Sequence, residues 1–220
     1  MHARTGLERP DASPAGHLDG RTLTQRQTDL TRSLILDASI AILEGGPVAE
    51  LTMRSAARMA GLAERTVFRY FASRDELLDA VAAEGAARLK MPDPPTSEED
   101  LRAAPRALYG AFEARFGLTK ALLHPDLLPR MQATTAKRRW DAIVRLIDRM
   151  APGAAARDRR IAAANIRYYL AATTWHYYRT GFGFTLDEAV VCAETAIGLA
   201  VAAVRAPAPR RAPSRGRRRG

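Results

Sequence analysis

The stretch that decides the fold is Thr52–Phe71, which reads TMRSAARMAGLAERTVFRYF. Two helices that cross steeply through a short turn need a small residue at the crossing, a residue that accepts positive φ in the turn, and apolar contacts between the helices. Ala57, Gly61 and Val67 meet these three needs in register. The stretch therefore predicts a helix-turn-helix whose first helix closes at Gly61 and whose second begins near Ala63.

The polar side of this motif is strongly basic. Segment 52–74 has five arginines and one acid: Arg54, Arg58, Arg65, Arg69 and Arg74, with Glu64. When the second helix of such a motif lies in the major groove, its first turns reach base edges while flanking groups hold phosphates. The charge pattern favours a DNA-binding motif over an ordinary helical hairpin with a basic solvent-facing side.

The rest of the chain predicts an all-α protein. Alanine and arginine, both strong helix formers, are frequent, aromatic residues make up only 6% of the 220 residues, and no β-type alternation occurs. Besides the motif, we expect helices over 31–44, 73–90, 97–116, 125–150, 156–180 and 186–204. Ser73 and Glu76 form the capping box of the helix that follows the motif.

Composition also divides the chain into four parts. Residues 1–24 have no periodicity and are expected to form a loose leader, and 25–90 would hold the DNA-binding domain with a connector helix. Three prolines within Met91–Pro95 mark a boundary. A helical domain would follow over 91–204, and 205–220 would be a disordered tail that carries seven of the arginines behind the net charge of +10.

Several function classes find no support in the sequence. No stretch approaches the eighteen or so apolar residues of a membrane span, and the start has no apolar signal-peptide core, so we expect a cytoplasmic protein. Cys192 is the single cysteine, and the four histidines lack metal-ligand spacing, so we expect no metal or cofactor. No nucleophile or phosphate-loop motif points to an enzyme.

At this point residues 30–90 resemble the DNA-binding domain of the TetR (tetracycline-repressor-type) family. The resemblance is carried by Ile35-Leu36, Ala38-Ser39, Ile42-Leu43, Leu51-Thr52, Ala60-Gly61-Leu62, the run from Thr66 to Phe71 and the run from Ser73 to Leu78. It implies three N-terminal helices that bind DNA, a fourth that connects, and a C-terminal helical domain for ligand binding and dimerisation.

The resemblance also assigns residues to the DNA. It places Thr52 and Arg54 near the backbone at the start of the second helix of the fold. Glu64, Arg65 and Thr66 would face base edges or adjacent phosphates. The Glu64 carboxylate would repel phosphate but could accept a hydrogen bond from a cytosine amino group.

Four further positions follow from the same resemblance. Arg69 and Tyr70 would contact phosphate or the groove wall, and Arg74 stands where the family has lysine at the start of helix four. Phe68 belongs to the same DNA-facing set but replaces the usual tyrosine, so a hydroxyl contact to phosphate is lost. Ala63 replaces the serine that usually caps the recognition helix, which removes one cap without abolishing binding.

The last two predicted helices suggest a homodimer. On the last helix a wide apolar stripe comprises Leu186, Ala189, Val190, Ala193, Ala196, Ile197, Ala200, Val201 and Val204. Helix 156–180 offers Ile161, Ala164, Tyr168, Ala172 and Trp175. We interpret the pair as a four-helix dimer interface, since readout of a palindromic operator needs twofold symmetry, with an internal core as the alternative.

The resemblance further implies a small-molecule effector bound among residues 97–180. Candidate lining residues are Phe112, Phe116, Trp140, Asn165, Tyr169, Trp175 and His176, with Tyr177, Arg115 and His124 beside them. Asn165, Tyr169 and His176 would share one helical face. Ordinary core packing is the alternative for each residue. We expect a ligand-responsive repressor, and the alternative is a DNA-binding auxiliary protein that uses the motif and basic tail without a ligand.

Overall fold

A computed structural model describes residues 22–206, which contain ten α helices, one 3₁₀ turn and no strand. The helices are α1 (Leu23–Gly45), α2 (Met53–Ala60), α3 (Glu64–Tyr70), α4 (Arg74–Arg88), α5 (Glu98–Ala114), α6 (Phe116–Leu122), α7 (Leu128–Met150), α8 (Ala156–Tyr169), α9 (Ala172–Thr180) and α10 (Leu186–Arg205). The predicted all-α class is confirmed. Almost all of the predicted leader, and all but the first two residues of the tail, lie outside the described residues.

The first three helices pack around a small apolar core. Ile35 of α1, Leu51 before α2 and Val67 of α3 are all fully buried, as is Phe71 just after α3. Ala57 is small where α2 meets this core and is also buried. The core therefore fixes the angle between α2 and α3, as the sequence predicts.

The remaining helices form a second helical layer that is joined to the first through α4 and α6. Helix α10 packs against α5 and α8, and α7 packs against α8 and α4. Trp175 and Tyr109 are fully buried there, and the Tyr109 hydroxyl donates to the Tyr169 carbonyl oxygen at 2.7 Å. In the described part of the chain no helix is long and apolar enough to cross a membrane.

The predicted helices differ from the structure in three places. Helix α1 begins at Leu23 instead of Thr31, because Thr22 and Gln25 form a capping box on a polar first turn that carries no apolar periodicity. A separate helix, α6, lies between the predicted helices 97–116 and 125–150. The predicted helix 156–180 is broken after Tyr169, where the Thr174 hydroxyl caps the Tyr168 carbonyl oxygen at 2.6 Å.

Gly61 offers a direct test of the turn. Its φ of 68° lies in the left-handed region, and a Cβ there would meet no neighbour within 4 Å, so any penalty is conformational. We expect Gly61→Ala to lower the free energy of unfolding by about 1–2 kcal/mol. Gly110→Ala, in the middle of α5 and equally free of clashes, should raise it by about 0.5–1 kcal/mol. Urea melts check both values, and equal effects of the two changes would contradict this account of the turn.

Candidate nucleic-acid interface

Local hydrogen bonds set the positions of the two motif helices. The Thr52 hydroxyl accepts from the Ser55 amide at 3.0 Å, and the Ser55 hydroxyl accepts from the Thr52 amide at 2.9 Å, which forms a capping box at the start of α2. After Gly61, the Leu62 amide donates to the Ala57 carbonyl oxygen at 2.9 Å. Thr52 therefore acts as a helix cap in this structure, and its exposed position leaves a backbone contact to DNA as a prediction.

Helix α3 presents a basic outer face. Val67 points into the core, while Arg65, Phe68 and Arg69 are exposed and Thr66 is half-buried. Ala63 makes no side-chain cap, as its replacement of serine implies. The exposed arginine side chains thus lie on the side of α3 opposite Val67, an arrangement that suits a major groove.

Glu64 has an arginine partner across the turn. The Arg54 Nε lies 3.4 Å from Glu64 Oε2, and both side chains are exposed to solvent. Surface ion pairs of this kind contribute at most about 1 kcal/mol, so a phosphate or a cytosine amino group can compete for either side chain. The pair neutralises the Glu64 carboxylate in the absence of DNA, and its contacts with DNA stay a prediction.

Tyr70 is half-buried at the end of α3, next to α1. A hydrogen bond with Thr31, together with hydrogen bonding and charge from Arg69, holds the pKa of the Tyr70 hydroxyl below its usual value. The Arg69 guanidinium lies 5.5 Å from the centroid of the Tyr70 ring. Thr31 lies within the predicted helix 31–44, and Thr28, in the unpredicted start of α1, adds a smaller effect in the same direction.

Arg74 has a structural role that its predicted phosphate contact did not anticipate. Its Nε donates to the Leu51 carbonyl oxygen at 2.9 Å, and its Nη2 donates to that of Val48 at 3.3 Å. Asp126, before α7, lies 3.9 Å away. Arg74 therefore holds the start of α4 to the segment between α1 and α2, and contact with phosphate stays a prediction for its remaining donors.

The predicted ligand residues are not brought together in one cavity. Phe112 and Trp175 pack in the core with ring centroids 5.7 Å apart, and Phe116 lies 5.3 Å from Trp175. Trp140 and Tyr169 are half-buried against the core. These aromatic contacts match the core-packing alternative.

The predicted common face of Asn165, Tyr169 and His176 is wrong. Asn165 is exposed on α8, and His176 lies on α9, so helical periodicity does not continue from Tyr169 to His176 through the break. His176 instead lines a cavity of about 610 Å³ at the junction of α1, α6 and α9, together with Lys120 and His124. Burial, followed by the nearby charge of Lys120, lowers the pKa of the His176 imidazole.

The dimer interface predicted on α10 is wrong for the six stripe residues that are buried within the chain, whereas Leu186, Ala196 and Ala200 are half-buried, and Ile161, Ala164 and Tyr168 on α8 are exposed. Ala189, Val190 and Ala193 are fully buried within the chain, and Ile197 nearly so. They face α5 and α8, since one side of α10 closes the core of the second layer. The alternative of an internal core was correct for this stripe, and the other side of α10 is the exposed one.

The geometry defines the chain as a helix-turn-helix DNA-binding protein. Residues 35–81 match the model of the bacterial regulatory proteins of the tetR family. This match covers the DNA-binding part alone, and the whole chain has the fold of an N-terminal helix-turn-helix domain followed by a helical domain. A comparison with curated protein sequences gives no significant match.

Solved structures of regulators share this fold. The transcriptional regulator FadR from Bacillus subtilis, in complex with stearoyl-CoA, matches at a TM-score of 0.57 and 15% identity, over 79% of this chain and 99% of that one. NalD, the secondary repressor of the MexAB-OprM multidrug efflux pump in Pseudomonas aeruginosa, matches at a TM-score of 0.53 and 16% identity, over 81% of this chain and 98% of that one. BioQ from Mycobacterium smegmatis matches at a TM-score of 0.53 and 19% identity, over 79% of this chain and 97% of that one.

The exposed start of α3 leads to a test of base contacts. We expect Arg65→Ala and Thr66→Ala each to weaken binding to a DNA sequence selected by the wild type, by about 1–3 kcal/mol per lost base contact, and to change sequence preference. Arg145→Ala, an exposed arginine on α7, is the matched control. Fluorescence anisotropy with selected and random DNA measures both effects, and unchanged binding by both α3 variants would contradict the docking.

Arg74→Lys separates a structural role from a phosphate contact. Lysine keeps the charge but lacks the two separate nitrogens, Nε and Nη2, with which Arg74 reaches the two carbonyl oxygens, so we expect the free energy of unfolding to fall by about 1–3 kcal/mol. The salt dependence of DNA binding should change little. Arg145→Lys should leave both quantities unchanged. A variant of wild-type stability that binds all DNA more weakly would show instead that Arg74 acts through phosphate.

Proposed function

We propose that this protein is a homodimeric repressor that binds a palindromic operator and releases it when a small molecule binds. The observation that carries the proposal is the exposed basic face of α3, which holds Arg65, Thr66 and Arg69. Val67, on the opposite side of the same helix, is buried in the core. A rigid helix with basic residues on its free side is what major-groove readout requires.

A second apolar surface supports the dimer. The exposed fractions of Ile161 and Tyr168 on α8 are 48% and 61%, and those of Val191 and Leu199 on α10 are 55% and 67%. These side chains lie on two helices that pack against each other, away from the core. An apolar face this exposed, built on two adjacent helices, suits self-association through a twofold axis.

The dimer surface can be tested by placing charge on it. We expect Leu199→Glu and Ile161→Glu to convert a dimer into a folded monomer, because each buries an unpaired charge in the interface at a cost of several kcal/mol. Leu30→Glu, an equally exposed leucine on α1, is the control and should stay dimeric. Sedimentation velocity measures the oligomeric state. A wild type that is monomeric at micromolar concentration would overturn the proposal.

Charged contacts between the two layers support a response to ligand. Arg130 on α7 donates to the Asp75 carboxylate at 2.8 Å and also contacts that of Asp79, both on α4. Arg115, just before α6, donates to Glu44 of α1 at 2.6 Å. Because α4 follows the recognition helix directly, a movement of α6 or α7 would change the position of α3.

Close backbone approaches strengthen this coupling. A Cβ on Gly117 of α6 would lie 3.0 Å from the Glu44 carbonyl oxygen, and one on Gly85 of α4 would lie 3.1 Å from Leu122 of α6. Helix α6 thus packs closely against α1 and α4, beside the cavity that His176 lines. FadR, which shares the fold, is seen with stearoyl-CoA, and this supports a ligand for the present fold without naming it.

The ligand response is tested by two readouts together. An effector should raise the melting temperature and weaken operator binding. The operator affinity should fall by about a hundredfold if the coupling free energy between the two sites is near the upper end of its usual range. Arg130→Gln should keep most of the rise in melting temperature while reducing the release of operator, because it loses the contacts with α4. Arg145→Gln is the control. If a broad screen finds no compound with both effects, a ligand-independent auxiliary DNA-binding protein becomes the better account.

A further inference from the structure

The cavity that His176 lines has the size of a small-molecule site. Its volume of about 610 Å³ lies within the range of about 300–1,000 Å³ that is typical of ligand pockets. The end of α1 and the turn after it form one wall, to which Leu43 and Val48 contribute, and α6 forms another, which continues to Leu123. Leu43 and Val48 are buried and Leu123 is half-buried. The cavity therefore offers apolar surface to the carbon atoms of a ligand.

The polar side chains around this cavity carry an excess of positive charge. Lys120 and His124 lie four residues apart along α6 and the turn after it, and His176 joins them from α9. Among the described residues that line the cavity, Glu44 is the one acid. Arg115 neutralises it, because its Nε and Nη2 donate to the Glu44 carboxylate at 3.1 and 2.6 Å. The Lys120 ammonium is left without a compensating charge.

Two of these groups lack partners in the described structure. Lys120 forms no hydrogen bond or ion pair within residues 22–206, whereas Lys137 is paired with Asp141 at 2.6 Å. The Nδ1 atom of His176 is buried and has no hydrogen-bond partner among the same residues, so Nε2 is the nitrogen that stays accessible.

The state of the His176 imidazole follows from its surroundings. Burial, followed by the charge of Lys120, lowers its pKa, so the ring is neutral near pH 7. A proton on the buried Nδ1 would be an unpaired donor, which is costly, so the neutral ring carries its proton on Nε2. His176 can therefore donate one hydrogen bond to an oxygen atom that lies close to the Lys120 ammonium.

We propose that this cavity binds a small monocarboxylic acid in its anionic form. The carboxylate accepts hydrogen bonds from the Lys120 ammonium and the His176 imidazole, and the hydrocarbon part of the molecule contacts Leu43, Val48 and Leu123. One carboxylate matches the one unpaired cation, whereas a phosphate group would bring a second negative charge towards Glu44. The site lies at the junction of the two layers and does not use the aromatic core around Trp175.

The position of the site gives it a short connection to the recognition helix. The Val48 carbonyl oxygen accepts from Arg74 Nη2 at 3.3 Å, and Arg74 begins α4 directly after the turn that follows α3. A ligand that contacts Val48 on one side and α6 on the other can therefore shift the start of α4. This coupling rests on the proposed release of operator, whereas binding in the cavity does not.

The test uses the full chain without DNA and compares each acid with its neutral amide. Octanoate and benzoate are titrated at fixed pH and ionic strength beside octanamide and benzamide, and the melting temperature and the heat of binding are followed. We expect saturable binding of at least one acid. Its amide should bind about tenfold or more weakly, because it has the same shape without the charge.

Variants of two exposed lysines locate the carboxylate. Lys120→Met keeps the apolar stem and removes the charge, so the affinity for the acid should fall to that for the amide, and the affinity for the amide should not change. Lys137→Met is the matched control, because Lys137 is exposed on α7 and does not line the cavity. It should keep the wild-type preference for the acid. His176→Phe retains an aromatic ring without the donor and should also weaken binding of the acid.

Operator affinity is measured separately with a DNA sequence selected by the wild type. Binding of the acid that leaves operator affinity unchanged would contradict the release of operator proposed above and would support the site itself. The site would be overturned by equal affinity for acid and amide, by the same loss in Lys120→Met and Lys137→Met, or by no saturable binding of either acid.

Discussion

The fold of the DNA-binding part depends on the contact of Val67 with the core that α1 and α2 provide. Val67 is the buried residue of a helix only seven residues long, which could not stay folded in isolation. Its burial fixes the rotation of α3, and this rotation decides that Arg65 and Arg69 face outward. Gly61 fixes the direction in which α3 leaves the turn. A small apolar contact and one left-handed residue thus orient all of the basic groups.

The other end of α3 is held by contacts that come from distant parts of the chain. Tyr70 reaches Thr31 on the extended first helix, and Arg74 holds the carbonyl groups of Val48 and Leu51. Arg130 then joins α4 to α7. The recognition helix is therefore the end point of a series of contacts that begins in the second layer, and this series is the physical basis of the proposed response to ligand.

The sequence was informative where short-range requirements determine the structure. The turn at Gly61, the cap at Thr52 and the burial of Val67 all follow from spacing within twenty residues. The break between Tyr169 and Ala172 contains no glycine or proline, so no local signal predicts it. The predicted common face failed because this break separates His176 from Tyr169. The two sides of α10 are both rich in small apolar residues, so periodicity could not tell the core side, with Ala193, from the exposed side, with Leu199. Tertiary packing decides such cases.

The central claim is that two copies of α3 read one DNA site in twofold symmetry. Selection of sequences from a random DNA library by the wild-type protein tests this claim most directly, followed by footprinting of the enriched sequences. The account predicts enrichment of an inverted repeat whose half-sites are separated by about one helical turn, roughly 10 base pairs, or a multiple of it. Enrichment of no sequence, or of a single asymmetric half-site that one monomer protects, would contradict the account.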